Sequence, residues 1–318
     1  MTLPVSSRGD RTVIGNLCLG SAPDSWGVWF PEDEHQVPYT RFLDELAEAG
    51  YHWLELGPFG YLPTDPRQLA DELGTRDLQV SGGTTFGALH RPHEWDDMVA
   101  TTRKVAELTT ATGAHHLVFI PVMYRDEKTG QFTESPSLTA EQWATLGHRA
   151  SELGKILLDE YDVHLVLHPH ADSHIQSQAE IERYLNESDP RYANLCLDTG
   201  HVAYGRGDAV DLIRRYAERI GYVHIKQMNQ DIINQVYAEN LSFSEAVRRG
   251  VCVEPPAGVP NPADVIEALA ELDTEIFVIV EQDLYPCAPD VPLPIAIRTR
   301  EYLNSRGLAP SVGNLPRG

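Results

Sequence analysis

The sequence lacks most of the features that would tie it to a membrane, a nucleic acid or an oxidising compartment. Its four cysteines, Cys18, Cys196, Cys252 and Cys287, include no CxxC pair. Cys18 and Cys196 lie inside apolar runs, where a free thiol acts as a small hydrophobe. No stretch approaches the ~20 apolar residues that a membrane helix needs. The N-terminus is polar, with Arg8, Asp10 and Arg11, and carries no secretory signal pattern. These absences predict a soluble, cytoplasmic protein of a reducing compartment. Positive charge is scarce too: 25 Lys and Arg stand against 47 Asp and Glu, a formal net charge of −22. Such a surface repels phosphate backbones, which argues against nucleic-acid binding. No GxGxxG follows an early strand, so an open dinucleotide-binding sheet has no support.

What the chain does contain is a strand pattern repeated along its length. Short apolar runs begin at Asn16, His52, Leu78 and His116. Four more are Val166-Leu-His168-Pro-His170, Cys196-Leu-Asp198-Thr-Gly-His201, Tyr222-Val-His224-Ile-Lys226 and Val278-Ile-Val-Glu281-Gln-Asp283. Helix-period stripes separate them, such as Phe42, Leu43, Leu46 and Ala47, ended by Gly50. Ser177 with Glu180 has capping-box spacing, Asp208 precedes another stripe, and Asn261-Pro262 reads as a helix start. Eight strand–helix units predict a single-domain α/β fold, a (β/α)₈ barrel over residues 13–307. Residues 1–12 and 308–318 read as tails, either of which is also a candidate contact in a homo- or hetero-oligomer. Residues 229–260 read as a long β7–α7 loop, of the kind that forms a lid or substrate wall.

The last four runs are apolar along their length and polar only where they end, as strands are at the active face of a parallel barrel. Residues two apart on a strand share a face. His168, Asp198, His224 and Glu281 therefore present two imidazoles and two carboxylates if they all point inward. That donor set suits Mn²⁺, Co²⁺, Zn²⁺ or Fe²⁺ better than Ca²⁺, which prefers oxygen alone. A single histidine at a strand end is more often a hydrogen-bonded structural residue; four candidate ligands on consecutive strands are harder to explain that way. His52, His115, His116 and His164 fall where strands start and read as structural.

These residues carry a family likeness. The segments His168-Pro-His170-Ala-Asp, Leu197-Asp198-Thr-Gly-His201, Val223-His224-Ile-Lys226 and Val280-Glu281-Gln-Asp283 resemble those of the sugar phosphate isomerase/epimerase superfamily, the xylose-isomerase-like barrels. Ala22-Pro23 and Val253-Glu-Pro-Pro-Ala-Gly258 extend the likeness, which is nearest to inosose dehydratases. The resemblance implies a metal at His168, Asp198, His224 and Glu281, with Mn²⁺ the first candidate. Many isomerases of the superfamily carry Glu where this chain has His168. The substitution leaves one metal-bound carboxylate of a pair, which suits elimination better than two-base epimerisation. The expected substrate is a small keto-sugar or inosose, and the expected chemistry is proton abstraction next to the ketone followed by β-elimination, including the 3-oxo-glycoside cleavage of C-glycoside deglycosidases. A keto-sugar isomerase or epimerase is the alternative, and a non-catalytic sugar-binding subunit is the alternative of another class. Glu281 is the candidate base, and His170, His201 and Lys226 are candidate acids. Trp26, Glu55, Phe86 and Glu254 are the substrate-binding candidates.

Overall fold

The computed structural model describes residues 16–272 and 274–308. Eight parallel strands close into a barrel in sequence order: β1 Leu17–Ser21, β2 Trp53–Glu55, β3 Gln79–Gly87, β4 His116–Pro121, β5 His164–Leu167, β6 Ala193–Asp198, β7 Ile220–Ile225 and β8 Ile276–Val280. The closing pair is β1 with β8, in register from Leu17 opposite Ile276 to Ser21 opposite Val280. The helices around it are α1 Tyr39–Glu48, α2 Pro66–Gly74, α3 Trp95–Ala111, α4 Ala140–Tyr161, α5 Gln178–Glu187, α6 Thr199–Tyr204, α7 Ala209–Arg215, α8 Gln230–Glu239, α9 Phe243–Arg248, α10 Pro262–Ala270 and α11 Pro292–Ser305. None is long and apolar enough to cross a membrane.

Strand alternation divides the apolar residues between two cores. Leu165, Leu167, Leu195, Leu197, Val223, Val278 and Val280 face outward and pack under the helices. Val166, Cys196, Tyr222 and Ile279 face inward with Ala22 and Val118 and fill the barrel. One more step along each strand keeps the inward phase, so His168, Asp198, His224 and Glu281 emerge above this plug. His116 and His164 open β4 and β5 at the opposite end, with ring centroids 5.9 Å apart. Burial pushes the His116 pKa down to about 4, so that ring is neutral and structural.

The expected caps form. The Ser177 hydroxyl accepts from the Glu180 N–H while the Glu180 carboxylate accepts from the Ser177 N–H. Asp208 caps α7 and Asn261 caps α10. Two expectations need correction. The segment 229–260 is not an irregular loop but carries α8 and α9. Ile233, Val236, Phe243, Ala246 and Val247 are apolar at helical spacing and pack with Ala171, Tyr204, Met228 and Val251 into a small core of their own. Of the expected tails, residues 1–12 and 309–318 lie outside the described residues, whereas Leu308 is fully buried against the outer core.

Removing the α5 cap tests the local reading. Ser177→Ala should destabilise the protein by about 1 kcal/mol, read as a lower urea midpoint, with metal content and turnover unchanged.

Candidate active site

Asp198 ends β6 and does two jobs with its two oxygens. Its Oδ1 accepts the His201 N–H at 2.7 Å and so caps α6, which fixes the carboxylate's orientation. Its Oδ2 turns into the barrel mouth, 3.1 Å from His168 Nε2 and 3.9 Å from His224 Nδ1. Glu281 Oε2 lies 3.0 Å from His224 Nδ1 and 4.0 Å from His168 Nε2. All four donors lie within 4.8 Å of one another, and all four residues are buried.

The donor set fits a divalent ion, and His224 supplies the test. Its Nε2 is 2.7 Å from Glu55 Oε2, a carboxylate that can only accept, so the ring's proton sits on Nε2. Its Nδ1 has no well-formed hydrogen bond and faces Glu281 Oε2; burial would lower the ring's pKa, but Cys196, Glu281 and Glu55 hold it well above the usual histidine value. A ring set between two carboxylates calls for positive charge at Nδ1, supplied by a second proton or by a cation shared with Glu281 Oε2. Tetrahedral ligands at ~2.1 Å from a metal are roughly 3.4 Å apart, and the measured separations bracket that spacing. Glu55, which also accepts from the Thr84 hydroxyl, fixes the His224 ring, the position an outer carboxylate takes beside a metal-ligating histidine. Both of its oxygens are engaged in this way, although the residue borders the pocket.

Lys226 makes the anionic cluster tolerable. Its ammonium is 3.3 Å from Asp198 Oδ2, 3.0 Å from Glu281 Oε2 and 2.8 Å from Asp283 Oδ2. Burial alone would lower its pKa, but Asp198, Asp283 and Glu281 hold it well above the ordinary lysine value. The same attraction works in reverse. Burial would raise the Asp198 and Glu281 carboxyls, yet Lys226 and the surrounding imidazoles hold both well below the usual range. The Thr199 hydroxyl donates to the Lys226 carbonyl at 2.8 Å and accepts from the Lys226 N–H at 2.9 Å, which joins β6 to β7. Gly200 leaves room for the lysine stem: a Cβ there would meet Lys226 Cγ at 2.6 Å and Cβ at 2.8 Å.

The remaining candidates divide. His170 lines the pocket, and its Nδ1 donates to the Ala171 carbonyl at 2.7 Å, which leaves the lone pair on Nε2. Burial, with His168 and Lys226 nearby, pushes its pKa down to about 4. His201 does not border the pocket; it lies behind, 4.1 Å from the His170 ring, with Nδ1 accepting from the Ala171 N–H and Nε2 beside Lys226 Nζ. A neutral imidazole has one lone pair, so only one of those two contacts is a full hydrogen bond. Burial and Lys226 keep His201 far below the usual histidine pKa. Phe86 is 42% exposed and lines the cleft.

Two substrate-binding expectations are not met. Trp26 points away from the cleft: its indole donates to Glu45 and its ring meets Phe42 edge-on, both on α1. Glu254 forms an ion pair with Arg298 on α11, outside the pocket. Three residues beyond Trp26, Trp29 takes the wall position. It donates to Asp283 and stacks on Tyr285 at 5.0 Å and Phe243 at 6.4 Å. Phe243, from α9, also lies edge-on to His170. Asp24 and Glu127 complete the polar lining of a cleft of about 630 Å³, part of it open to solvent. Burial, helped by Asp126 and Asp283, raises the Glu127 pKa to about 7. Sequence reading missed Trp29, Phe243, Asp24 and Glu127. The helical spacing of Phe243 with Val247 was the one available signal.

A family model described as xylose isomerase-like TIM barrel matches residues 43–301. An inosose dehydratase of Mesomycoplasma hyopneumoniae is 29% identical over 296 residues, spanning 92% of this chain and 97% of the relative. Among solved structures, the IolI protein with a bound zinc atom superposes with a TM-score of 0.69 at 14% identity, covering 93% of this chain and all of the other. The probable 3-DHS dehydratase AsbF from Bacillus anthracis gives 0.67 at 13% identity, covering 90% and 98%.

Because Asn keeps an oxygen for the α6 cap while losing the charge, Asp198→Asn separates folding from ligation. It should unfold near the wild-type temperature and purify with little divalent metal by elemental analysis. Wild-type metal content would remove Asp198 from the ligand set.

Proposed function

Since the chain belongs to the xylose isomerase-like TIM barrel family, we propose that it is a divalent-metal-dependent lyase that eliminates water from a cyclic or open polyhydroxy ketone, an inosose or related keto-sugar. The near full-length likeness to inosose dehydratases supports the ketone class. The observation that carries the reaction type is the asymmetry of the pocket. It presents a neutral imidazole, a fixed ammonium and a carboxyl with raised proton affinity, where a two-base epimerase would place matched carboxylates.

A divalent ion held by His168, Asp198, His224 and Glu281 supplies Lewis-acid polarisation of the ketone, and Mn²⁺, Co²⁺, Zn²⁺ and Fe²⁺ all suit this donor set. The chain's own residues move the protons. Glu281 is engaged by His224 and Lys226, which makes it a weak base and a good ligand. His170, with its Nε2 lone pair, takes the proton from the carbon beside the ketone. Lys226, fixed and protonated, stabilises the negative charge that develops there. Glu127 gives a proton to the departing β-hydroxyl, which leaves as water. Trp29, Phe86 and Phe243 supply apolar surface for the ring's C–H faces. An aglycone in place of the hydroxyl would leave by the same route.

Incubation of inososes and 3-oxo-glucosides with the Mn²⁺-loaded protein in D₂O, followed by NMR, tests the reading. Loss of water or aglycone to give an enone or dione is expected; deuterium uptake at carbon without elimination would make the protein an isomerase. The pH profile tests the acid and base. His170 must be neutral and Glu127 protonated, so turnover should rise as pH increases through about 4 and fall as it passes about 7. Glu127→Gln should lower kcat by ~10²–10⁴ and abolish the alkaline limb.

A further inference from the structure

Asp24 is a buried carboxyl for which the fold supplies no partner. The residue as a whole is half-buried, but both Oδ1 and Oδ2 are out of solvent and accept no hydrogen bond. Leaving such a group without a partner is costly to the fold. Asp24 sits in the first turn of a short 3₁₀ segment, Pro23–Trp26, and none of that segment's N–H groups reaches its carboxyl. The turn is not free to swing. The neighbouring Ser25 hydroxyl donates to the Val280 carbonyl at 3.2 Å and accepts the Gln282 N–H at 3.0 Å, so the segment is tied to the exit of β8 on both sides of Glu281. The carboxyl therefore stays at the cleft wall, among the residues that line the cavity with Lys226 and Glu127.

The cleft's charge points the same way. Lys226 is the only lysine or arginine among its described lining residues, and three carboxylates already claim it. Asp24, Glu127 and Asp283 face the same space. A carboxylate or phosphate on the substrate would be desolvated beside an ammonium that three carboxylates already hold. Hydroxyl groups suit these walls: two neighbouring hydroxyls can donate to the two oxygens of one carboxyl.

We propose that Asp24 is a substrate-binding residue that accepts hydroxyls of a polyhydroxy ketone, and that it restricts the pocket to neutral polyols, excluding ketones that carry a carboxylate or phosphate. The proposal rests on the keto-polyol reading above. It is tested on the metal-loaded protein by calorimetric titration and steady-state kinetics with an inosose, 3-dehydroshikimate as a carboxylated cyclic ketone, and fructose 6-phosphate as a phosphorylated one. The wild type should bind the inosose and bind the two anions at least ~100-fold more weakly. Asp24→Asn and Asp24→Ala should raise the inosose Kd and KM by ~10–100-fold, the loss of hydrogen bonds to a buried carboxyl, with kcat changed far less. Both variants should narrow the gap between neutral and anionic ligands. The unfolding temperature of Asp24→Ala should equal or exceed the wild type's, because an unpartnered buried polar group has gone. Unchanged Kd and KM in both variants would overturn the proposal, and paired with a lowered Tm would assign Asp24 a structural role. Equal wild-type affinity for the anionic ketones would overturn it as well. A wild type that binds and turns over no inosose would instead sink the keto-polyol reading, and this proposal with it.

Discussion

The contact on which the site depends is the buried ammonium of Lys226. Asp198, Glu281 and Asp283 converge on one dry volume, and three carboxylates there would repel one another by several kcal/mol in the absence of a counter-charge. Lys226 touches all three at 2.8–3.3 Å. Much of the local sequence serves that placement. Thr199 fixes the backbone of Lys226, Gly200 clears space for its stem, and His201 stands neutral at its tip. The Asp-Thr-Gly-His segment of β6–α6 and the His-Ile-Lys segment of β7 are therefore two halves of a single packed unit.

How much of this was legible in the sequence follows from the range of the forces involved. Strand alternation is local, so the inward phase of Val166-His168, Cys196-Asp198, Tyr222-His224 and Ile279-Glu281 could be read directly, and with it the cluster of four side chains that could hold a metal. Caps at Ser177, Asp208 and Asn261 are local as well. What escaped depends on contacts across the fold. Trp26 and Trp29 lie in one short run, and nothing in that run says which indole meets Glu45 of α1 and which meets Asp283 beyond β8. Glu254 sits in a motif-like segment, but Arg298 from α11 takes it out of play. The role of Glu55 required knowing that β2 and β7 face each other across the barrel.

The residues that escaped are also those that shape the pocket above the ligand plane. Asp24, Trp29, Glu127 and Phe243 all come from connections on the strands' exit side. Phe243 arrives on α9, whose small core is separate from both barrel layers. The four strand ends bring together a donor set that could hold a divalent ion. The surrounding connections decide which proton donors and which walls the substrate meets.

The reciprocal hydrogen bonds between Thr199 and the backbone of Lys226 have a further consequence for anyone reshaping this protein. They lie one residue beyond Asp198 and two beyond His224, so these two candidate ligands ride on one stiff joint. Retuning the site for a larger ion by lengthening or shortening a single side chain would work against that joint, since neither ligand can retreat alone. Redesign has more freedom at His168 and Glu281, which sit outside the β6–β7 joint, and it is there that a library aimed at new metal preference should spend its diversity.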